Sequence, residues 1–542
     1  MIVWNRCSPC HRAGQAAPFS LLTYADVKKR TTQIAEVTAR RIMPPWSPET
    51  GEARFENERL LTASELGRLQ QWIAEGAVEG NLSDLPSAPN WPDGWFLGPP
   101  DLVVTMPLQY TLDAEGRDVY RNFVIPIPTD KRRYVKAIEL RPGNSRIVHH
   151  AFMYIDRTQQ SRRLAAKEPQ PGFPGIRPPD GVQMPEGQFL SYQPGKMPLV
   201  APEGLAWTLE PKSDLVLQVH MNPTGKPETL QSSIGFYFTD HAPTNTPFKM
   251  VLNSLSIEIP PGESNYAVTD SFTLPVDASV VGVLPHAHYV AREMIGTATL
   301  PDGITKKLIE IKNWDFKWQG DYRYAEPILL PKGTTLAMRY TYDNSTNNIR
   351  NPNNPPKLIS YGAQSSDEMG ELWLQLLVRD AGDRSKLSRA YAQKTQALFF
   401  ESSQHALRKN PNDAKAHLTL GTLLCDQGKR DEALQHFTKA IELKPDYQQA
   451  YFDVGVLLLQ EGWLPQAQKA FEAAVRLDPA DNRAQGSLGN VYLRLGQLPE
   501  ATAQFEKALR LNPDDAIARE NIELIRQIIS EQTKNPSPAS GK

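Results

Sequence analysis

The C-terminal third of the chain repeats with a fixed period, and no other feature limits the fold so tightly. Pro411, Pro445, Pro479 and Pro513 are spaced by 34 residues; so are Gly421, Gly455 and Gly489, and again Gly428, Gly462 and Gly496. Each unit also carries an alanine (Ala433, Ala467, Ala501), a phenylalanine four positions on (Phe437, Phe471, Phe505) and a second alanine three further (Ala440, Ala474, Ala508). Spacings of three and four keep side chains on one helix face, and small residues at fixed points let two helices cross closely. The unit is therefore helix, turn, helix, and neighbours stack because none buries its apolar face alone.

This pattern resembles tetratricopeptide repeats, three full units and a partial fourth. The expected span is 385–530, followed by a disordered tail over 531–542. Two roles stay open for it: a groove for a partner protein, or a spacer or dimerisation arm. His417, His436 and Cys425 fall on these helices and read as packing or surface residues.

A chain of 542 residues is too long for one core. Its 59 Lys and Arg against 61 Asp and Glu leave a formal charge of -2, so no global basic field recruits nucleic acid or an anionic membrane. No window reaches about twenty apolar residues, so no membrane span is expected. The opening "MIVWNRCSPCHR" shows no cleavable export signal. Three cysteines, two of them in one motif, exclude a disulfide framework.

That motif, "CSPCHR", has the spacing of c-type haem attachment: Cys7 and Cys10 for two thioethers and His11 for an axial iron bond. A redox dithiol or half of a zinc site are the rivals, and no second cysteine pair completes the zinc. Met43, at the end of an amphipathic helix and before Pro44 and Pro45, is the candidate second axial ligand. Residues 1–90 resemble the small α-helical cytochrome c domains that bacteria fuse to oxidoreductases. They are short before the motif, where such domains carry a helix.

Residues 100–380 hold short alternating apolar stretches, among them "SDLVLQVHMNP" and "SIGFYFT", broken by Pro, Gly, Asn and Asp turns. Strands at this spacing predict two all-β sandwiches, over 100–240 and 241–382. In "VGVLPHAHYVAR" a strand puts His286 and His288 on one face with Leu284 and Val290, and Val283 and Tyr289 on the other. A lone pair of this kind is more often a pair of hydrogen-bonded core histidines than of ligands, and more ligands are needed to overturn that. Adjacent His149 and His150, however, and His220 at the end of "DLVLQVH", stand in further metal-competent contexts. Adjacent residues of a regular strand face opposite ways, so a shared metal at His149 and His150 requires a bulge or a strand end that re-aims one of them. Met369, just after a polar turn, adds a soft thioether, which beside imidazoles favours copper, Cu(I) above all.

"VHH", "LVLQVH", "IPPGE", "PHAH" and "SSDEM" occur in the order and rough spacing of the copper type II, ascorbate-dependent monooxygenases, the group of peptidylglycine α-hydroxylating and dopamine β-monooxygenase. The resemblance covers about residues 100–380. It implies two coppers per chain, one held by His149, His150 and His220 for electron transfer, one held by His286, His288 and Met369 for oxygen. It also implies hydroxylation of a C–H bond of a small-molecule or peptide substrate by O2, with ascorbate or another one-electron reductant, and it places Gln218 on the electron route. Where the peptide-hydroxylating members carry a carboxylate-reading arginine this chain has Leu284, so a free carboxylate is not the expected substrate group. Glu371 and Trp373 replace the family's asparagine and tyrosine. The attached haem would deliver electrons singly, from a redox partner, and covalent haem with open copper sites points to a periplasmic or otherwise extracytoplasmic setting. The alternative is a non-catalytic copper and haem protein for electron transfer or copper handling on a repeat scaffold.

Overall fold

The computed structural model describes residues 1–542 except 14, 16, 52, 90–93, 177, 180, 363, 513–514 and 535–542. The chain divides into two compact units, Met1–Tyr391 and Ala392–Lys542.

The first unit is dominated by antiparallel sheets paired face to face. In the first sandwich, strands Leu102–Thr105, Ser233–Thr239, Arg133–Arg141 and Trp207–Leu209 form one layer. The other layer is ordered Phe173–Pro174, Val119–Pro126, Asp214–Met221, Val148–Asp156, Ser191–Tyr192. One core joins them, with Ile234, Phe236 and Val135 meeting Ile125, Leu217 and Met153. Strand Asp214–Met221 is buried along its whole length, as its near-continuous apolar run dictates, and it carries Gln218 and His220.

The second sandwich pairs the layer Phe248–Asn253, Gly370–Val378, Ala278–Ala287, Tyr322–Leu330 with the layer Tyr266–Thr273, Thr335–Tyr342, Ala291–Thr299, Thr305–Ile311. Strand Gly370–Val378 alternates strictly: Leu372, Leu374 and Leu376 enter the core while Glu371, Trp373 and Gln375 take the opposite face. That opposite face is the floor of the cleft described below.

The N-terminal residues form short helices, Ile2–Arg6, Tyr24–Lys28, Thr31–Ala39 and Ala63–Ala74, around Leu21, Val27, Ile34 and Leu69. Reciprocal caps start two of them, Thr23 with Asp26 and Thr62 with Glu65. This N-terminal segment also packs into the second sandwich. Phe55 lies in the core of the second sandwich, bridges to Tyr324 and stacks on its ring at 4.9 Å, and the Glu49 amide donates to the Glu310 carbonyl at 2.8 Å. An aromatic pair of that kind belongs in a shared interior, which local periodicity does not reveal.

Helix Ala381–Lys409 starts before 385, and its Leu387 is buried in the core of the second sandwich. Helix pairs Ala414–Asp426 with Arg430–Leu443, Gln448–Gln460 with Leu464–Leu477, and Asn482–Arg494 with Leu498–Leu511 follow, then the helix Ala516–Lys534. Residues 531–534 thus continue a helix instead of a tail, while Pro513 and 535–542 lie outside the described residues. The recurrent glycines meet the recurrent phenylalanines: a Cβ at Gly421, Gly455 or Gly489 would stand 2.5, 2.7 or 3.0 Å from the ring of Phe437, Phe471 or Phe505. Gly428, Gly462 and Gly496 turn the chain between paired helices at φ +75, +78 and +75°, a backbone that favours glycine. No helix among the described residues is long and apolar enough to cross a membrane.

Candidate metal centre

Strand Val148–Asp156 slips register against Asp214–Met221 between Val148 and His150. This irregularity turns both adjacent imidazoles to one side. His150 pairs with His220 across the ladder, and His149, His150 and His220 bring one ligand atom each within 4.8 Å of one another. Nδ1 of His149 faces Nδ1 of His150 at 3.0 Å. His220 is 0 % exposed. Its Nε2–H donates to Asp118 Oδ2 at 3.1 Å and its Nδ1 has no hydrogen-bond partner among the described residues.

A buried imidazole nitrogen left bare costs free energy, on the order of 1–3 kcal/mol, unless something accepts its lone pair. The donor set therefore fits a cation coordinated by imidazole nitrogens. The electrostatics agree: burial, then His220, lowers His149 to about 4, and the same causes hold His150 well below its ordinary value. Both rings are neutral at pH 7, as ligation requires. Asp118, held low chiefly by its bond to His220, fixes the tautomer of that ring and accepts a hydrogen bond from the Ser365 hydroxyl of the second sandwich at 3.0 Å.

His286 is the last residue but one of strand Ala278–Ala287 and His288 lies just past its end, their ring centroids 5.3 Å apart. His286 Nδ1 bonds Gln319 Oε1 at 2.5 Å and His288 Nδ1 bonds the Asp367 carbonyl at 3.1 Å. In both rings the acceptor fixes the hydrogen on Nδ1 and leaves the Nε2 lone pair for a ligand role. Burial, then His286, takes His288 down to about 3. The faces expected beyond this pair do not follow. The strand stops at Ala287, so Val290 enters the core and Tyr289 packs on Phe316 at 4.6 Å.

Met369 is tied at its backbone. Its amide donates to Glu368 Oε1 and its carbonyl accepts from the Tyr342 hydroxyl. Buried Glu368 also accepts the amides of His288 and Val290, clamping the histidine segment to the methionine turn. His150, Gln218, His286, His288 and Met369 all line one cavity of about 410 Å³. Phe316 stands between the two histidine groups, 4.8 Å from the His149 ring and 5.6 Å from the His288 ring. Gln218 reaches that cavity while donating to Asn122 Oδ1 and the Ile176 carbonyl.

At the N-terminus both Cys7 and Cys10 are free thiols. Burial, reinforced by Cys10, pushes Cys7 up to about 11, the reverse of what an activated dithiol needs. His11 Nδ1 bonds the Phe19 carbonyl at 3.2 Å, which leaves Nε2 for an axial bond, and Cys7 borders the apolar cluster of Leu21, Val27 and Ile34. Met43 is half-buried after the helix Thr31–Ala39, its amide on the Val37 carbonyl. A larger cavity, about 510 Å³, touches Cys10 and Tyr192 and contains none of the five clustered histidines. Tyr192 lines both cavities, and a Cβ at Gly195 would lie 4.0 Å from Cys10 Sγ.

Asp118, Phe316, Gln319 and Glu368 escaped the sequence reading. Glu368 alone had a signal, its place beside Met369 in "SSDEM".

Comparison with known proteins reaches only the helical end. Models of the tetratricopeptide repeat match residues 414–447 and 455–516. No curated protein matches. Among solved structures, "Crystal structure of MamA" is 23 % identical, covering 28 % of this chain and 86 % of that one, with a TM-score of 0.24. "First TPR of Spaghetti (RPAP3) bound to HSP90 peptide SRMEEVD" is 24 % identical over 22 % of this chain and 93 % of that one, with a TM-score of 0.21. The Arabidopsis OM64 TPR domain is 22 % identical over 21 % and 94 %, with a TM-score of 0.21. The C-terminal helical stretch is therefore built of tetratricopeptide repeats, following a large β-rich region.

Proposed function

We propose that this chain is a copper-dependent monooxygenase that hydroxylates a C–H bond of an organic substrate with O2, two coppers being held by His149, His150 and His220 and by His286, His288 and Met369. The observation that supports it most is the convergence of three imidazoles, two of them with a buried nitrogen that has no hydrogen-bond partner among the described residues, beside a cleft that also presents a His-X-His pair and a thioether. When bound, copper at such sites supplies one-electron redox chemistry and the activation of dioxygen.

The chain's own residues do the rest. Asp118 orients His220, while Gln319 and the Asp367 carbonyl present His286 and His288 through Nε2. Glu368 holds the backbone of Met369 against the histidine segment. Leu284, Trp373 and Phe316 give the cleft apolar surface for the body of a substrate. In this reading Cys7, Cys10, His11 and Met43 hold a haem whose neighbour Tyr192 is shared with the cleft, the repeats dock a partner protein, and the setting is extracytoplasmic.

The test is copper stoichiometry together with substrate-dependent O2 uptake under ascorbate. Two coppers per chain with uptake that ceases in His286→Ala is the expected result. Two coppers without uptake for any organic substrate favours electron transfer or copper handling, and fewer than two removes the proposal.

A further inference from the structure

The sheet that carries His286 also carries a charge for which the proposed reaction has no use. Along its cleft face the register sets Glu371 beside His286, Trp373 beside Leu284 and Val251, and Gln375 beside Lys249. Lys249 is therefore four residues along the strands from the His286 row, about 13 Å at the usual rise. Its side chain leans back toward that row, with Nζ 5.7 Å from the Trp373 ring. Both residues line the 410 Å³ cavity, and Phe152, Phe189 and Tyr192 line it from the first sandwich.

Among the described residues no carboxylate pairs with Lys249. Its polar neighbours are the Gln188 carbonyl at 3.5 Å and Met184 Sδ at 4.0 Å, both at the far limit of a hydrogen bond. Glu371, the acid on the same face, lies in the His286 row and takes the Trp373 Nε1–H at 2.8 Å. An ammonium set in an apolar wall without a counter-ion is unfavourable, and burial alone lowers its pKa. An anion arriving from solution relieves this.

We propose that the cleft binds an apolar organic anion, its charge on Lys249 Nζ and its body lying over Trp373 and Leu284 toward His286 and Met369. The inference rests on the cleft being the substrate site and names the class of substrate. It replaces the expectation drawn from Leu284 alone: the cation absent from that strand comes from a different strand of the same sheet, further from the histidines. The ligand thus places its anionic end away from the His286 row and its apolar end beside it.

Metal-free full-length protein tests this independently of copper, with 4-phenylbutyrate, 4-phenylbutanamide and 4-phenylbutylamine titrated by calorimetry. The carboxylate is expected to bind at least tenfold more tightly than the amide, and the amine most weakly. Lys249→Met should bring the carboxylate to the level of the amide while leaving amide binding intact and the melting temperature no lower. Lys249→Arg should keep the preference. Equal binding of the three probes, no binding of the carboxylate at millimolar concentration, or a preference that survives Lys249→Met overturns the proposal. Copper stoichiometry on the same preparation reports separately on the metal reading.

Discussion

Asp118→Asn isolates how the chain prepares its three-histidine site, because the amide keeps the size and an acceptor oxygen for His220 but removes the charge. In the native chain the His220 Nε2–H bond to Asp118 is 3.1 Å long and the imidazole is fully buried. A hydrogen bond to a charged group contributes about 1.5–3 kcal/mol and a neutral one about 1 kcal/mol, so the exchange removes roughly 0.5–2 kcal/mol of support for the ligating ring. Asp118 keeps 29 % of its side-chain surface in solvent, which selects the middle of that range. The expected loss is about tenfold in copper affinity, near 1.4 kcal/mol, at the low end for a residue that orients a metal ligand. Competition with a chromophoric Cu(I) chelator reads the two sites separately if one is silenced by Met369→Ala. Affinity at the three-histidine site unchanged within about twofold, or an equal loss at the His286 and His288 site, refutes the reasoning.

Met369→Ala should remove the sulfur scatterer from the X-ray absorption of reduced, copper-loaded protein while His149, His150 and His220 stay loaded, and His220→Ala should do the reverse; a spectrum without sulfur in the native protein counts against the ligand set. Protein matured with a haem-attachment system should carry one haem that is lost in Cys7→Ala with Cys10→Ala, and Met43→Ala should lower its reduction potential, since loss of a thioether favours ferric iron. In the repeats, alanine at Gly421, Gly455 and Gly489 should destabilise in that order, following Cβ approaches of 2.5, 2.7 and 3.0 Å to the facing rings. Overpacking of about 1–3 kcal/mol opposes a helix-propensity gain of about 1 kcal/mol, so Gly421→Ala should lose roughly 1–2 kcal/mol and Gly489→Ala little in urea melts; a reversed order would show that the rings yield.

Periodicity made the local structure readable. The 34-residue repeat specified helix pairs because each glycine and phenylalanine meets its own unit's partner, and alternation specified strands because one face of each is buried. For His149 and His150 to share a side, a bulge or a strand end was expected, and a register slip lies between Val148 and His150. What lay across long sequence distances was not readable. Asp118 meets His220 and Ser365, and Phe316 lies between His149 and His288, only because two sandwiches bring separate turns together. Phe55 in the core of the second sandwich and Lys249 over Trp373 follow the same rule. The sequence by itself determined which side chains are capable of ligation and where helix and strand periods run, since both follow from side-chain type and backbone period. Tertiary structure alone decided which nitrogen of each imidazole is left bare and which charge goes unpaired, since those depend on neighbours that the backbone period does not encode.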